Sequence, residues 1–175
     1  MTDKKLMSIL NASANQEVFF GPQGFKQVAS QNELNKAQLG FGMSVLGQAA
    51  ISDDLSGQEK GCWQRSWQVF ARDTELGDPY FVDTKQAELP VYTGFLAEAG
   101  WELELVATSL VSYIDCMQLL FDHGQQTQAQ FFPDPSNVTD EVVLQRLQQQ
   151  LIEISGGQQF WKLFMQCYFD WLIED

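Results

Sequence analysis

The sequence predicts an α+β domain in which an antiparallel meander is flanked by helices. Three observations support this. Three short apolar runs, Trp67–Ala71, Tyr80–Val82 and Val91–Phe95, are separated by turn chemistry at Gly77-Asp78-Pro79 and before Pro90. Apolar residues return to a three-to-four spacing after Leu105 and keep it in two later segments. Apolar residues make up 45% of the 175, aromatics 13% and charged residues 19%, a composition that builds one packed core rather than a disordered chain.

The elements follow in order. Residues 1–14 read as a short helix or a frayed tail, and Asn15–Gly24 as turn-rich around Gly21-Pro22-Gln23-Gly24. Phe25–Ala37 has helical spacing and stops at Gly40. Met43–Ile51 predicts a strand, and Ser52–Gly61 a polar loop. Trp63–Arg72 alternates without a wholly polar face, which predicts an interior strand covered on both sides. Leu105–His123 predicts a helix, with Thr108 or Ser109 as its cap and Gly124 at its end. Thr139 or Asp140 opens another helix with the stripe Val143, Leu147, Leu151 and Ile154, and Gly156-Gly157 ends it. The last helix, Gln158–Ile173, carries Phe160, Trp161, Phe164, Tyr168, Phe169, Trp171 and Leu172. So wide an apolar face either closes the core or forms a seam with a second copy. The expected organisation is a single domain over 1–175, with a core over 25–124, a Gln-rich and Pro-containing linker over 125–138 and a helical pair over 139–175.

Charge and residue usage narrow the chemistry. The net charge of −13 and pI near 4.3 repel nucleic acid and anionic membranes and attract a basic protein partner. Cys62, Cys116 and Cys167 are odd in number and contain no C-x-x-C, which points to reduced thiols and a cytoplasmic protein. Cys116 and Cys167 sit in apolar helical patterns and read as core residues. Leu6–Leu10 after Lys4-Lys5 is shorter than the roughly seven apolar residues a secretory signal needs. No run approaches the roughly twenty residues of a membrane span. The single histidine, His123, lies at a helix end, where it suits the dipole better than a catalytic role. Neither a zinc pattern nor a phosphate-binding glycine loop occurs, and Asp73-x-Glu75-x-x-Asp78 lacks the full calcium-loop spacing. The reading is therefore of no catalytic residues, no metal and no cofactor.

What remains is an acidic, turn-rich edge with aromatic residues close by. Five carboxylates lie between Asp73 and Glu88, with Glu98 beyond them. Aromatic anchors inside a polar rim are the material of a protein interface. The candidate partner-binding set is Asp73, Glu75, Asp78, Asp83 and Glu98 for electrostatics, with Tyr80, Tyr92 and Trp101 as anchors or their support.

The segment also resembles the SUKH superfamily, the family of the yeast cell-wall-assembly regulator and of many bacterial toxin-immunity proteins. The residues that carry the resemblance are Arg72-Asp73, Gly77-Asp78-Pro79, Tyr80–Asp83, Pro90-Val91-Tyr92, Gly100-Trp101 and Ala107-Thr108-Ser109-Leu110, with Glu33-Leu34, Gln38 and Gly40-Phe41 upstream. They stand in the family's order over roughly residues 30–123. One departure stands out: many relatives carry a histidine and glycine before the Glu-x-Gly-Trp stretch, where this chain has Phe95-Leu96-Ala97 ahead of Glu98-Ala99-Gly100-Trp101. The resemblance implies a curved antiparallel sheet with flanking helices, the helices over 139–175 being an extension beyond it. It implies no catalysis. The expected role is an immunity-type protein that binds and neutralises a bacterial toxin domain, such as a nuclease, by occlusion. A regulatory scaffold for an endogenous partner is the alternative, and a carboxylate-dependent hydrolase a third.

Overall fold

The computed structural model of the protein describes residues 2–41 and 61–174. The described residues form, in chain order, α1 (Thr2–Ala12), β1 (Glu17–Phe20), β2 (Gln23–Gln27), α2 (Gln31–Ala37), β3 (Trp67–Asp73), β4 (Pro79–Asp83), β5 (Val91–Ala97), β6 (Gly100–Ala107), α3 (Leu110–Gly124), α4 (Glu141–Ser155) and α5 (Gln158–Ile173). The strands make one open antiparallel sheet in the order β1-β2-β3-β4-β5-β6, so each strand pairs with its sequence neighbours. The fold is α+β, with a C-terminal helical part. The strand expected over Met43–Ile51 and nearly all of the loop Ser52–Gly61 lie outside the described residues.

The sheet is covered on both faces. One face carries the main core, where Phe25, Phe70, Tyr80 and Val91 meet Tyr113 and Met117 of α3 and Trp161, Phe164 and Met165 of α5. The opposite face carries a smaller cluster of Trp63, Val69 and Phe81, against which Phe41, Trp67, Tyr92 and Trp101 pack. Adjacent residues Tyr80 and Phe81 therefore belong to different cores, as the two-residue period of a strand requires. β3 breaks this alternation once. Val69 pairs with Phe81 and Ala71 with Tyr80, so Phe70 is a bulged residue, and both Phe70 and Ala71 reach the main core.

Several boundaries depart from the sequence reading. Asn15–Gly24 holds a hairpin: Phe20 pairs with Gln23 around Gly21 and Pro22. Phe25–Gln27 is strand, and only Gln31–Ala37 of the expected helix is helical. Ser30 starts it: its hydroxyl accepts from the Glu33 N–H at 3.2 Å, while the Glu33 carboxylate accepts from the Ala29 N–H at 2.7 Å. The segment from Leu105 to Ala107 belongs to β6, so Val106 packs from a strand. Helix α3 begins after Ser109, whose hydroxyl accepts from the Ser112 N–H at 3.0 Å. The buried stripe of α4 is Leu144, Leu147, Leu151 and Ser155, with Val143 half-buried and Ile154 exposed at its flank. Cys116 is buried, whereas Cys167, expected in the core, is exposed.

The 125–138 stretch contains no helix or strand, yet it is tied to the fold. The Gln126 side chain accepts from the Gly21 N–H at 2.7 Å, and the Gln130 N–H donates to the Gly21 carbonyl at 3.0 Å. The Tyr168 hydroxyl donates to the Val138 carbonyl at 2.8 Å, and the Trp171 indole N–H donates to the Phe131 carbonyl at 3.1 Å. The last two of these bonds anchor α5, whose Trp161, Phe164, Met165, Tyr168 and Trp171 are buried. The aromatic face of α5 thus closes the core of its own domain.

Candidate functional site

A groove of about 740 Å³ runs between the β3–β4 turn, the outer half of the β5–β6 ribbon and α5. The turn is built by local bonds. The Asp73 carboxylate accepts from the Glu75 N–H at 2.7 Å, the Gly77 N–H donates to the Asp73 carbonyl at 3.0 Å, and Gly77 adopts a left-handed φ of 77°. This closure sets Glu75 and Leu76 out at the tip, where Leu76 is 80% exposed.

The ribbon supplies the floor. Thr93 pairs with Tyr80 and with Glu104, and Phe95 pairs with Glu102. Cross-strand partners share a face, so Thr93, Phe95, Glu102 and Glu104 stand on the helix side of the sheet with Tyr80. The Thr93 hydroxyl donates to the Pro79 carbonyl at 2.9 Å, joining the ribbon to the base of the turn. Helix α5 forms the far wall with Phe160, Leu163 and Cys167. Phe95 is 56% exposed and Leu163 55%, and full burial of each by a partner contributes about 1.5–3 kcal/mol.

The groove's electrostatics are one-sided. Asp73, Glu75, Asp78, Glu102 and Glu104 line it, and among the described residues no Lys, Arg or His does. The ion pair found among the described residues, Lys26 with Glu17 at 3.2 Å, involves none of these carboxylates. Arg72 lies over the Phe41 ring, 4.9 Å from its centroid, and packs on the opposite face. Burial holds the Asp73 carboxyl above the usual carboxylate range and the Asp78 charge adds to this, although the N–H groups of Glu75 and Leu76 pull it down. Burial also raises Glu75, with Asp73 as its second cause. The Cys167 thiol is raised by burial and by the charges of Asp170 and Glu75. The fold therefore gathers negative charge beside apolar surface, and no cation among the described residues offsets it within the groove.

The sequence-derived site residues divide into two sets. Asp73, Glu75, Asp78 and Tyr80 line the groove, Tyr80 as a buried wall whose ring lies 5.2 Å from that of Phe25. The other four do not line it. Asp83 sits at the far end of β4, where it accepts from the Lys85 N–H and the Gln86 side chain and so shapes the next turn. Glu98 is exposed in the β5–β6 turn. Tyr92 and Trp101 pack on the smaller core, with the Trp101 and Trp63 rings 5.0 Å apart, and the buried Trp101 indole N–H has no hydrogen-bond partner among the described residues.

Glu102, Glu104, Phe95 and Leu163 were missed. The signal for the first two lies in Trp101-Glu102-Leu103-Glu104-Leu105, an apolar/acidic alternation with strand period. Leu163 carries no such signal, because its exposure depends on how α5 is rotated against the sheet.

His123 lies at the end of α3, its Nδ1 2.9 Å from the Leu119 carbonyl, and does not line the groove. Among the described residues no three His, Cys, Asp or Glu side chains converge to hold a metal ion, and no helix is long and apolar enough to cross a membrane. Comparison with protein-family models, with curated proteins and with solved structures finds no match.

Proposed function

We propose that the protein is a non-catalytic, cytoplasmic binding protein that holds a basic protein partner against this groove, and that the partner is a toxin domain neutralised by occlusion. The observation that carries the reading is the groove's lining: among the described residues, five carboxylates and no cation around exposed Leu76, Phe95 and Leu163. Desolvated apolar anchors inside a charged rim suit a protein partner of opposite charge. A nuclease toxin would provide that charge, because it must grip phosphate. The SUKH-like order of motifs over roughly residues 30–123 supports the same role.

The test is co-expression with the C-terminal domain of a toxin-like protein encoded beside this one. Rescue of growth and co-purification of a complex are expected. Failure of rescue, with a resident basic protein captured instead, would favour the regulatory-scaffold alternative. Failure of both would overturn the binding reading.

A further inference from the structure

The groove has a shape as well as a charge, and the shape selects the kind of segment it accepts. On the helix side of the sheet, α5 is bonded to β6 at the inner end of the strand. There the Trp161 indole N–H donates to the Val106 carbonyl at 3.0 Å, and just past the strand the Thr108 N–H donates to the Ser155 carbonyl at the end of α4 at 2.8 Å. Outward from this point the same sheet face carries Phe95, Glu102 and Glu104, and α5, as a side wall, is the one helix among the described residues that lines their groove. A sheet face beside a helix is ordinarily covered by another helix, which satisfies its own backbone and presents one apolar stripe.

The alternative is a strand added to the edge of β6, and the structure leaves little room for one. At its outer end the Trp101 N–H already donates to the Gly61 carbonyl at 2.8 Å. At its inner end Ala107 bridges to Gly156, and Gly157 lies so close to the Leu105 and Val106 carbonyls that a Cβ there would stand 2.8 and 2.4 Å from their oxygens. Among the described residues, only 102–104 of this edge lie between the two obstructions.

We propose that a basic amphipathic helix of the partner protein lies in this groove alongside α5, its apolar stripe on Phe95 and Leu163 and its Lys or Arg side chains over Glu75, Glu102 and Glu104. The inference rests on the binding reading above and adds to it the secondary structure and patterning of the recognised segment. Helix-in-groove recognition uses this combination of an apolar stripe and flanking charge.

Cys167 provides the reporter, because it is exposed in the groove while Cys62 and Cys116 are buried. The full chain is alkylated with a maleimide in the presence of two synthetic peptides of about 14 residues and identical Leu/Lys composition, one patterned at helical period and one strictly alternating. A seated helix shields the thiol and slows alkylation, about tenfold at saturation, since thiol reactivity follows access. A lysine-rich peptide that only hovers over the carboxylates lowers the thiol pKa and speeds alkylation instead. The expected result is protection by the helical-period peptide, none by the alternating peptide, and loss of protection in the Phe95→Lys/Leu163→Lys variant, whose two positions are exposed and whose melting temperature stays unchanged.

Protection by the alternating peptide would overturn the helix and leave the groove as the binding site. Acceleration by both peptides would overturn the docking altogether. Growth rescue by a toxin domain that leaves Cys167 open to alkylation would overturn this inference while the binding reading stands.

Discussion

Asp73 shows how a single residue records the cost of this surface. Its carboxyl is raised because burial and the neighbouring Asp78 charge disfavour the ionised form. A group whose folded-state pKa is raised stabilises the fold fully below the ordinary carboxylate range, and that contribution is lost as pH rises through the raised value. Near neutral pH the wild type therefore carries a penalty, which Asp73→Asn removes while keeping the Oδ1 acceptor for the Glu75 N–H. The variant is expected to melt about 1–2 °C higher near neutral pH, a small gain because water still screens a half-buried carboxyl. The difference should shrink to nothing as pH falls below the carboxylate range. An equal difference at every pH, read by differential scanning calorimetry, would show that the charge is not its cause. The sequence exposed the charges of Asp73, Glu75 and Asp78 but not their surroundings. Tyr80 and Tyr92 look alike as aromatic neighbours of an acidic turn, yet they stand on opposite faces of the sheet because they come from different strands and register decides the side.

Among the elements, strands β3, β4 and β5 were legible because proline, glycine and aspartate punctuate them. The hairpin of β1 and β2 was not. Its strands have four and five residues, too short for a period to emerge, and Phe25 and Val28 also fit a helical spacing. Strand β6 was absorbed into the following helix because Leu105 and Val106 continue the apolar spacing of α3, and the cap at Ser109 marks the true start. The junction of α4 and α5 carries a stability prediction of its own. Gly157 has an ordinary φ of −88°, but a Cβ there would stand 2.4 Å from the Val106 carbonyl oxygen, which is backbone and cannot swing away. Gly157→Ala is expected to destabilise the protein by about 1–3 kcal/mol through overpacking. Gly77→Ala, where φ is 77° and no atom of the described residues lies within 4 Å of the added Cβ, should cost about 1 kcal/mol from backbone strain alone. Urea denaturation of the two variants orders these costs, and the reverse order would show that the α4–α5 turn can move off the sheet.

Over the whole molecule, the question is whether partner association follows the total charge of −13 or its local arrangement. Long-range steering depends on both, but only charges at the contact stay close enough to escape screening as salt is added, when the Debye length falls from about 30 Å at 0.01 M to about 3 Å at 1 M. Two double reversals separate these contributions. Glu75→Lys/Asp78→Lys changes the groove, and Glu98→Lys/Glu153→Lys changes exposed carboxylates outside it. Each pair takes the net charge from −13 to −9, so their effects at long range are matched. With the basic partner in hand, the groove pair is expected to slow association by about tenfold or more at low salt and to flatten its salt dependence, because rim charges act mainly on the association rate. The matched pair should slow it far less and keep most of the salt slope. Stopped-flow association rates across an ionic-strength series measure both quantities. Equal slowing by the two pairs would mean that net charge alone does the steering and that the groove is not where the partner lands.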